Sequence, residues 1–225
     1  MSFRALTLAA GLCLALSSPL AAQTRHDAQL WVMFLDTHAL SENWRLHLEL
    51  QPRWSQDMSE LDQTLYRWAV GRRINRALTL WGGHVWVPRT LGEGTRHEHR
   101  AWQQASITLP TAGKWAPSIR LRNEQRFLDG WADSSHRLRA MLRGVHPIAD
   151  GTWSAVIWDE FMVNYDKTAG GPGQGFDQNR IFAGVLRRLN AKAGLEFGYL
   201  LQTPATPTTP TQQNHVGFVW LNLAY

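Results

Sequence analysis

Arginine and glutamate recur two residues apart in this chain. Arg45, His47, Glu49, Gln51 and Arg53 form one such run, Arg120, Arg122, Glu124 and Arg126 a second, and Arg137, Arg139 and Arg143 a third. A period of two puts side chains on one face of a β-strand. Guanidinium groups gathered on such faces do one of two things: they fork onto carboxylates and lock a structure, or they hold phosphate and carboxylate anions from outside. Glu160, Glu196 and Arg180 extend the set. Counting only the faces assigned by alternation, the eight arginines of the three runs meet four carboxylates, Glu49, Glu124, Glu160 and Glu196, and Arg180 is a further cation. Two readings follow and both stay open. Either the charges pair across a narrow interior and fill it, or the surplus arginines make a passage that favours a small anion.

Other chemistries find less support. An acyl hydrolase or transferase needs a nucleophile, a base and an orienting group within reach. The bases on offer are His47, His84, His136, His146 and His215, and the hydroxyls are Ser106, Ser118, Ser135 and Ser154. No serine stands in a G-x-S-x-G elbow, and the local Ser–His grouping is Ser134-Ser135-His136. Asp159 and Glu160 are adjacent, so strand alternation separates them and no paired-carboxylate site forms there. His97 and His99 share a face, but two histidines at a loop edge do not make a metal centre. No catalytic residue, metal or cofactor is assigned.

The opposite faces of these runs are apolar. Trp44, Leu46, Leu48, Leu50 and Trp54 oppose the first, Ile119, Leu121 and Phe127 the second, and Leu138, Ala140 and Leu142 the third, while Glu196 opposes Leu195, Phe197, Tyr199 and Leu201. Similar segments are read near residues 29–40, 43–55, 62–74, 77–88, 98–109, 116–128, 135–147, 152–165, 177–189, 192–203 and 214–225. The fourth, fifth and ninth alternate poorly, and their facing stays open. Short links at Leu40–Asn43, Asn75–Ala77, Ala149–Gly151 and Asn190–Ala191 are expected to alternate with longer ones at Gln56–Asp62, Arg89–His97, Asp129–Ser135, Asp166–Phe176 and Thr203–Asn214. This is the build of an all-β, antiparallel, up-and-down transmembrane barrel with short periplasmic turns and longer extracellular loops. Trp44, Trp54 and Tyr225 are assigned to its membrane girdle, with Trp31, Trp68, Trp86, Trp153 and Trp220 as further candidates. Bacterial single-chain barrels have even strand numbers, so eleven segments point to 10 or 12 strands.

Composition agrees with export to a membrane. Of 23 basic residues only Lys114, Lys167 and Lys192 are lysine, against 18 acidic ones, for a net charge of +5. The arginines alternate singly with apolar residues and form no patch, which excludes nucleic acid as partner. Residues 1–22 have the layout of a secretory signal peptide: Arg4, an apolar run from Ala5 to Leu16, then Ala21-Ala22 at the cleavage edge. The mature domain is then 23–225, without the chain's single cysteine, Cys13, and without disulfide or thiolate-metal chemistry. The expected location is the Gram-negative outer membrane. The expected partners are its lipid and lipopolysaccharide, and the barrel-assembly machinery through a C-terminal strand in which Val219, Leu221, Leu223 and Tyr225 alternate.

Gln29-Leu30-Trp31, Arg120-x-Arg122-x-Glu124-x-Arg126, Asp159-Glu160-Phe161, Phe176-Asp177-Gln178-Asn179-Arg180 and His215…Tyr225 occur in that order. Together they resemble the domain-of-unknown-function family 2490, bacterial proteins regarded as outer-membrane β-barrels. The resemblance implies a fold and a location, and no activity. Three functions follow as expectations: a barrel with an Arg/Glu lumen, plugged or anion-leaning; a lipid-modifying enzyme; or a structural barrel that binds partners through its loops.

Overall fold

Alternation with turn residues every dozen or so positions leaves the backbone one economical solution, a meander whose two edges pair with each other. The computed structural model describes residues 24–148, 151–169, 171–205 and 211–225. The expected signal segment lies outside the described residues. Eleven strands follow one another: β1 (Thr24–Ala39), β2 (Trp44–Ser55), β3 (Glu60–Arg73), β4 (Leu78–Leu91), β5 (Gly94–Thr108), β6 (Ala116–Leu128), β7 (Ser135–Ile148), β8 (Trp153–Asn164), β9 (Gly175–Arg188), β10 (Ala193–Pro204) and β11 (Thr211–Ala224). Each pairs antiparallel with its neighbour, and β1 closes the barrel on β11. No helix occurs among the described residues.

The closing pair is parallel, running from Thr24↔Thr211 to Thr37↔Ala224. This is how an odd number closes. Eleven lies within the range of 10 to 12, but the even parity is not kept, because the first segment pairs with the last along its whole length and no further strand is needed. The carbonyl of Tyr225 accepts from Ala39 N at 2.7 Å, and Tyr225 N donates to Thr37 O at 3.1 Å, which ties the chain end into the seam.

The connections sort to two ends. The turn end carries 40–43, 74–77, 109–115, 151–152 and 189–192; the loop end carries 56–59, 92–93, 129–134, 165–169, 171–174 and 205. The expected long link at Arg89–His97 is corrected. Gly92, at φ 56°, makes a two-residue turn, and β4 and β5 stay paired to Leu91↔Gly94. At 56–59 three successive residues, Gln56, Asp57 and Met58, hold positive φ. The β1 start fixes them: Asp27 Oδ1 accepts from Asp57 N at 3.0 Å, and Met58 N donates to Ala28 O at 3.0 Å.

The usual distribution of polarity is inverted. Among the described residues nineteen polar or charged residues are buried against thirteen hydrophobic ones, while Leu142, Trp68, Phe127 and Ile181 each expose half or more of their surface outward. A shortest strand of twelve residues is roughly 40 Å long, or about 30 Å high at the usual barrel tilt.

Candidate functional site

The inward side chains of β5 to β10 build one charged layer across the barrel. Two carboxylates lie at its centre. Glu124 is 0% exposed and Glu160 1%. Arg137 donates to Glu124 Oε2 from Nε at 3.0 Å and Nη2 at 2.6 Å, and Arg139 Nη1 reaches Glu124 Oε1 at 2.7 Å. Arg139 then turns its Nε and Nη2 to Glu160, at 3.0 and 2.8 Å from Oε1. Arg120 adds a bond of 2.7 Å to the same oxygen, and Arg180 stands 3.7 Å from Oε2. Toward the loop end, Glu98 takes both nitrogens of Arg100 at 2.8 Å and Arg126 Nε at 2.6 Å. Toward the turn end, Arg143 and Glu196 meet at 2.9 and 2.6 Å.

Alternation explains this convergence. In β6 and β7 the residues between these charges, Leu121, Phe127, Leu138 and Leu142, are exposed outward, so every second residue must enter. Taking charges out of water is unfavourable unless each is paired and hydrogen-bonded. The fork of arginine meets that condition here, with single guanidiniums serving two carboxylates.

The remaining sequence-assigned residues separate by place. Arg122 puts Nε and Nη2 on Gln104 Oε1 at 2.8 and 2.6 Å and lies 4.3 Å from the Trp102 ring centre. Arg53 bonds Gln51 at 2.6 Å and stacks on Trp31 at 3.8 Å. Glu49 pairs with Arg67 and lies 3.4 Å from His47 Nε2. Arg45 is half-buried near the turn end of β2. Trp44 and Tyr225 are exposed, and Trp54 is half-buried on the same outward side as Trp44.

Several interior residues were missed. Arg67 was legible, since Tyr66 and Trp68 flank it and point out. Glu98 and Arg100 were not: the outward neighbours His97, His99 and Ala101 give β5 no polarity contrast. Asp177 depends on a bulge. The β8–β9 register shifts at Met162/Val163, so Asp177 and Gln178 both turn inward, and Asp177 accepts from Arg137 Nη1 at 2.8 Å. Trp31 and Trp220 are corrected from girdle candidates to interior residues. Trp31 is buried in an apolar cluster with Phe182, Val216 and Phe218, and Trp220 packs against it. Trp68, Trp86 and Trp153 remain outside.

The interior also holds two apolar clusters. One is Leu65, Ala69, Val85, Val87 and Trp102 on β3 to β5, and the other is the Trp31 cluster. These explain the weak alternation of the fourth and ninth segments, whose inner faces carry apolar residues, while the fifth is blurred by polar residues on its outer face. In the second cluster Gly184 pairs with Gly198 across β9–β10, and the Phe182 ring lies over the gap. A Cβ on Gly184 would sit 2.5 Å from that ring and 2.4 Å from Phe197 O.

The loop end is covered. Thr168 is buried and its hydroxyl donates to Ser134 O at 3.2 Å, while Trp131 is stacked on by Arg126 at 5.4 Å. Asp166 accepts from the backbone N–H of His136 at 2.9 Å and pairs with its imidazole. Slight desolvation raises the Asp166 carboxyl, but the two His136 hydrogen bonds prevail and hold it below its ordinary value. Ser135 and His136, adjacent in sequence, go separate ways: Ser135 is buried inside the barrel and His136 pairs with Asp166. Among the described residues no group of three or more His, Cys, Asp or Glu is placed to hold a metal. His99 bonds His84 at 3.2 Å and His97 stacks on Trp86.

Below the charged layer a cavity of about 320 Å³ reaches the turn end, bounded by Thr37, Thr108 and Ser118 at the strand ends and by the arginines above.

Two comparisons bear on this barrel. Residues 28–214 match a family described as "Protein of unknown function (DUF2490)". An uncharacterised protein of Methylorubrum extorquens AM1 is 33% identical over 213 residues, covering 93% of each chain.

Proposed function

Since the chain belongs to the DUF2490 family of unknown function, we propose from its geometry that it is an outer-membrane β-barrel closed by its own interior charges. The observation that carries this reading is the buried Glu124–Arg139–Glu160 bridge. A buried, mutually hydrogen-bonded bridge of this kind supports a lumen closed to water at its level. The outward belt of leucine, phenylalanine and tryptophan supports lipid as the surrounding medium, since an exposed apolar surface of this extent is not maintained in water. On this reading residues 1–22 direct export, residues 23–225 form the barrel, the strand ending in Tyr225 engages the assembly machinery, and lipid and lipopolysaccharide contact the outer face.

The test is a planar-bilayer recording on the mature chain, 23–225, after fractionation. The native protein is expected in the outer-membrane fraction, heat-modifiable on a gel and electrically silent. Replacing both partners, Arg139→Ala with Glu160→Ala, is expected to open stepwise conductance. An anion-selective current through the native barrel would replace the closed reading with the arginine-lined passage. A soluble periplasmic protein would end both.

A further inference from the structure

The cavity that runs from Arg53 and Arg180 down to the turn end has more cationic donors than its own acceptors can use. Seven arginines line it against two glutamates, Glu49 and Glu160. Arg139 and Arg143 find further acceptors in Glu124 and Glu196. Arg53 does not. It is 8% exposed, makes no ion pair within 4.0 Å among the described residues, and has only Gln51 and the Trp31 face for company. Arg180 lies over the same indole at 4.9 Å, so two cations crowd one ring.

Individual nitrogens show the same surplus. The Nε atoms of Arg53, Arg67 and Arg120 are buried and have no hydrogen-bond partner in the protein, and neither do the indole N–H groups of Trp81 and Trp220. All five residues line the cavity. A buried donor without an acceptor is unfavourable, and a guanidinium more so. Self-pairing therefore does not satisfy the donors around this cavity, whereas it does satisfy the carboxylates of the charged layer.

The other walls are apolar: Met33, Leu200, Phe218 and the rings of Trp31, Trp158 and Trp220. We infer that the cavity is a binding site for a small organic anion, a carboxylate or phosphate monoester head on an aromatic or alkyl body. The head is received by Arg53 and Arg120, and the body lies along the tryptophan wall toward the turn end. Forked donors suit either head, and a volume of about 320 Å³ falls within the range of small-molecule sites. The inference needs the cavity and not the membrane, so it stands or falls apart from the closed-barrel reading.

Calorimetric titration of the folded mature chain in non-ionic detergent with phenyl phosphate tests it. Saturable binding of one equivalent is expected, with benzyl alcohol giving none and inorganic phosphate binding at least about tenfold more weakly, the equivalent of one lost contact of about 1.4 kcal/mol. Arg53→Gln and Arg120→Gln are each expected to weaken phenyl phosphate about tenfold or more, as loss of a charge-assisted contact does. Arg72→Gln, on an exposed arginine stacked outside on Trp44, is expected to leave it unchanged. Heat-shifted gel mobility establishes that each variant is folded. No binding by the folded native chain, equal binding of inorganic phosphate, or undiminished binding by both folded variants would overturn the assignment.

Discussion

Arg143 and Glu196 stand on β7 and β10, with two strands between them around the barrel wall, and still meet through paired hydrogen bonds of 2.9 and 2.6 Å. Only the curvature of a closed sheet brings these side chains together. Arg120 to Glu160 and Arg137 to Asp177 make the same kind of contact, each reaching past one intervening strand. The interior is therefore cross-braced, and the bracing predicts how the barrel responds to change.

Glu160→Gln is expected to destabilise the barrel by about 3–5 kcal/mol, because it leaves buried guanidiniums without their shared counter-charge. Arg139 and Arg120 lose their short bonds together. Urea unfolding followed by gel mobility would show the midpoint falling. An unchanged midpoint would mean that the pairs are not buried as described.

The double replacement Arg143→Met with Glu196→Leu is expected to be far milder than either change alone. Removing both charges leaves neither partner buried and unpaired, and such exchanges are often neutral or stabilising. A double-mutant cycle on unfolding midpoints measures the difference, and additive single effects would contradict it.

Gly184→Val is expected to cost about 1–3 kcal/mol through overpacking. The added carbons meet the Phe197 carbonyl and the Phe182 ring, and the carbonyl belongs to backbone that cannot swing away. Gly173→Val, where nothing lies within 4 Å, is the matched control and is expected to leave the unfolding temperature in place.

The loop held by Asp166 is expected to loosen in acid. The carboxyl's folded pKa is depressed, so its contribution is present above the ordinary carboxylate value and is lost as pH falls through the folded one. Amide exchange at His136 and in 165–169 reports this, with protection constant down to about pH 4 and declining below it. Asp166→Asn should expose the same amides at every pH, and a pH response that survives in that variant would assign the effect elsewhere.

Releasing the β2–β3 loop is the last prediction. Asp27→Ala removes the acceptor of Asp57 N, leaving three residues of positive φ without one of their restraints. Faster proteolytic cleavage at 56–58, with the barrel itself intact, is the expected result.

The sequence by itself determined where the eleven strand segments lie, though not that all eleven close the barrel, and it determined the inversion of polar and apolar faces and the inward course of Arg120, Arg122, Glu124, Arg126, Arg137, Arg139 and Arg143. Alternation is a local property, and wherever one face is apolar and the other charged it can be read without knowing any partner. Only the tertiary structure decided the rest. The parallel seam between β1 and β11 depends on where two chain ends meet, and nothing near Thr24 or Thr211 encodes it. The facing of β4 and β9 depends on apolar clusters inside the lumen, which erase the contrast that alternation needs, and in β5 His97 and His99 on the outer face erase it. Asp177 turns inward because of a one-residue bulge. Which arginines find carboxylates was also beyond any local pattern: Arg139 has two, Arg53 none within 4.0 Å among the described residues. That difference is set by the distances across a closed barrel, and it separates the arginines that fill the lumen from the one that offers an anion a place.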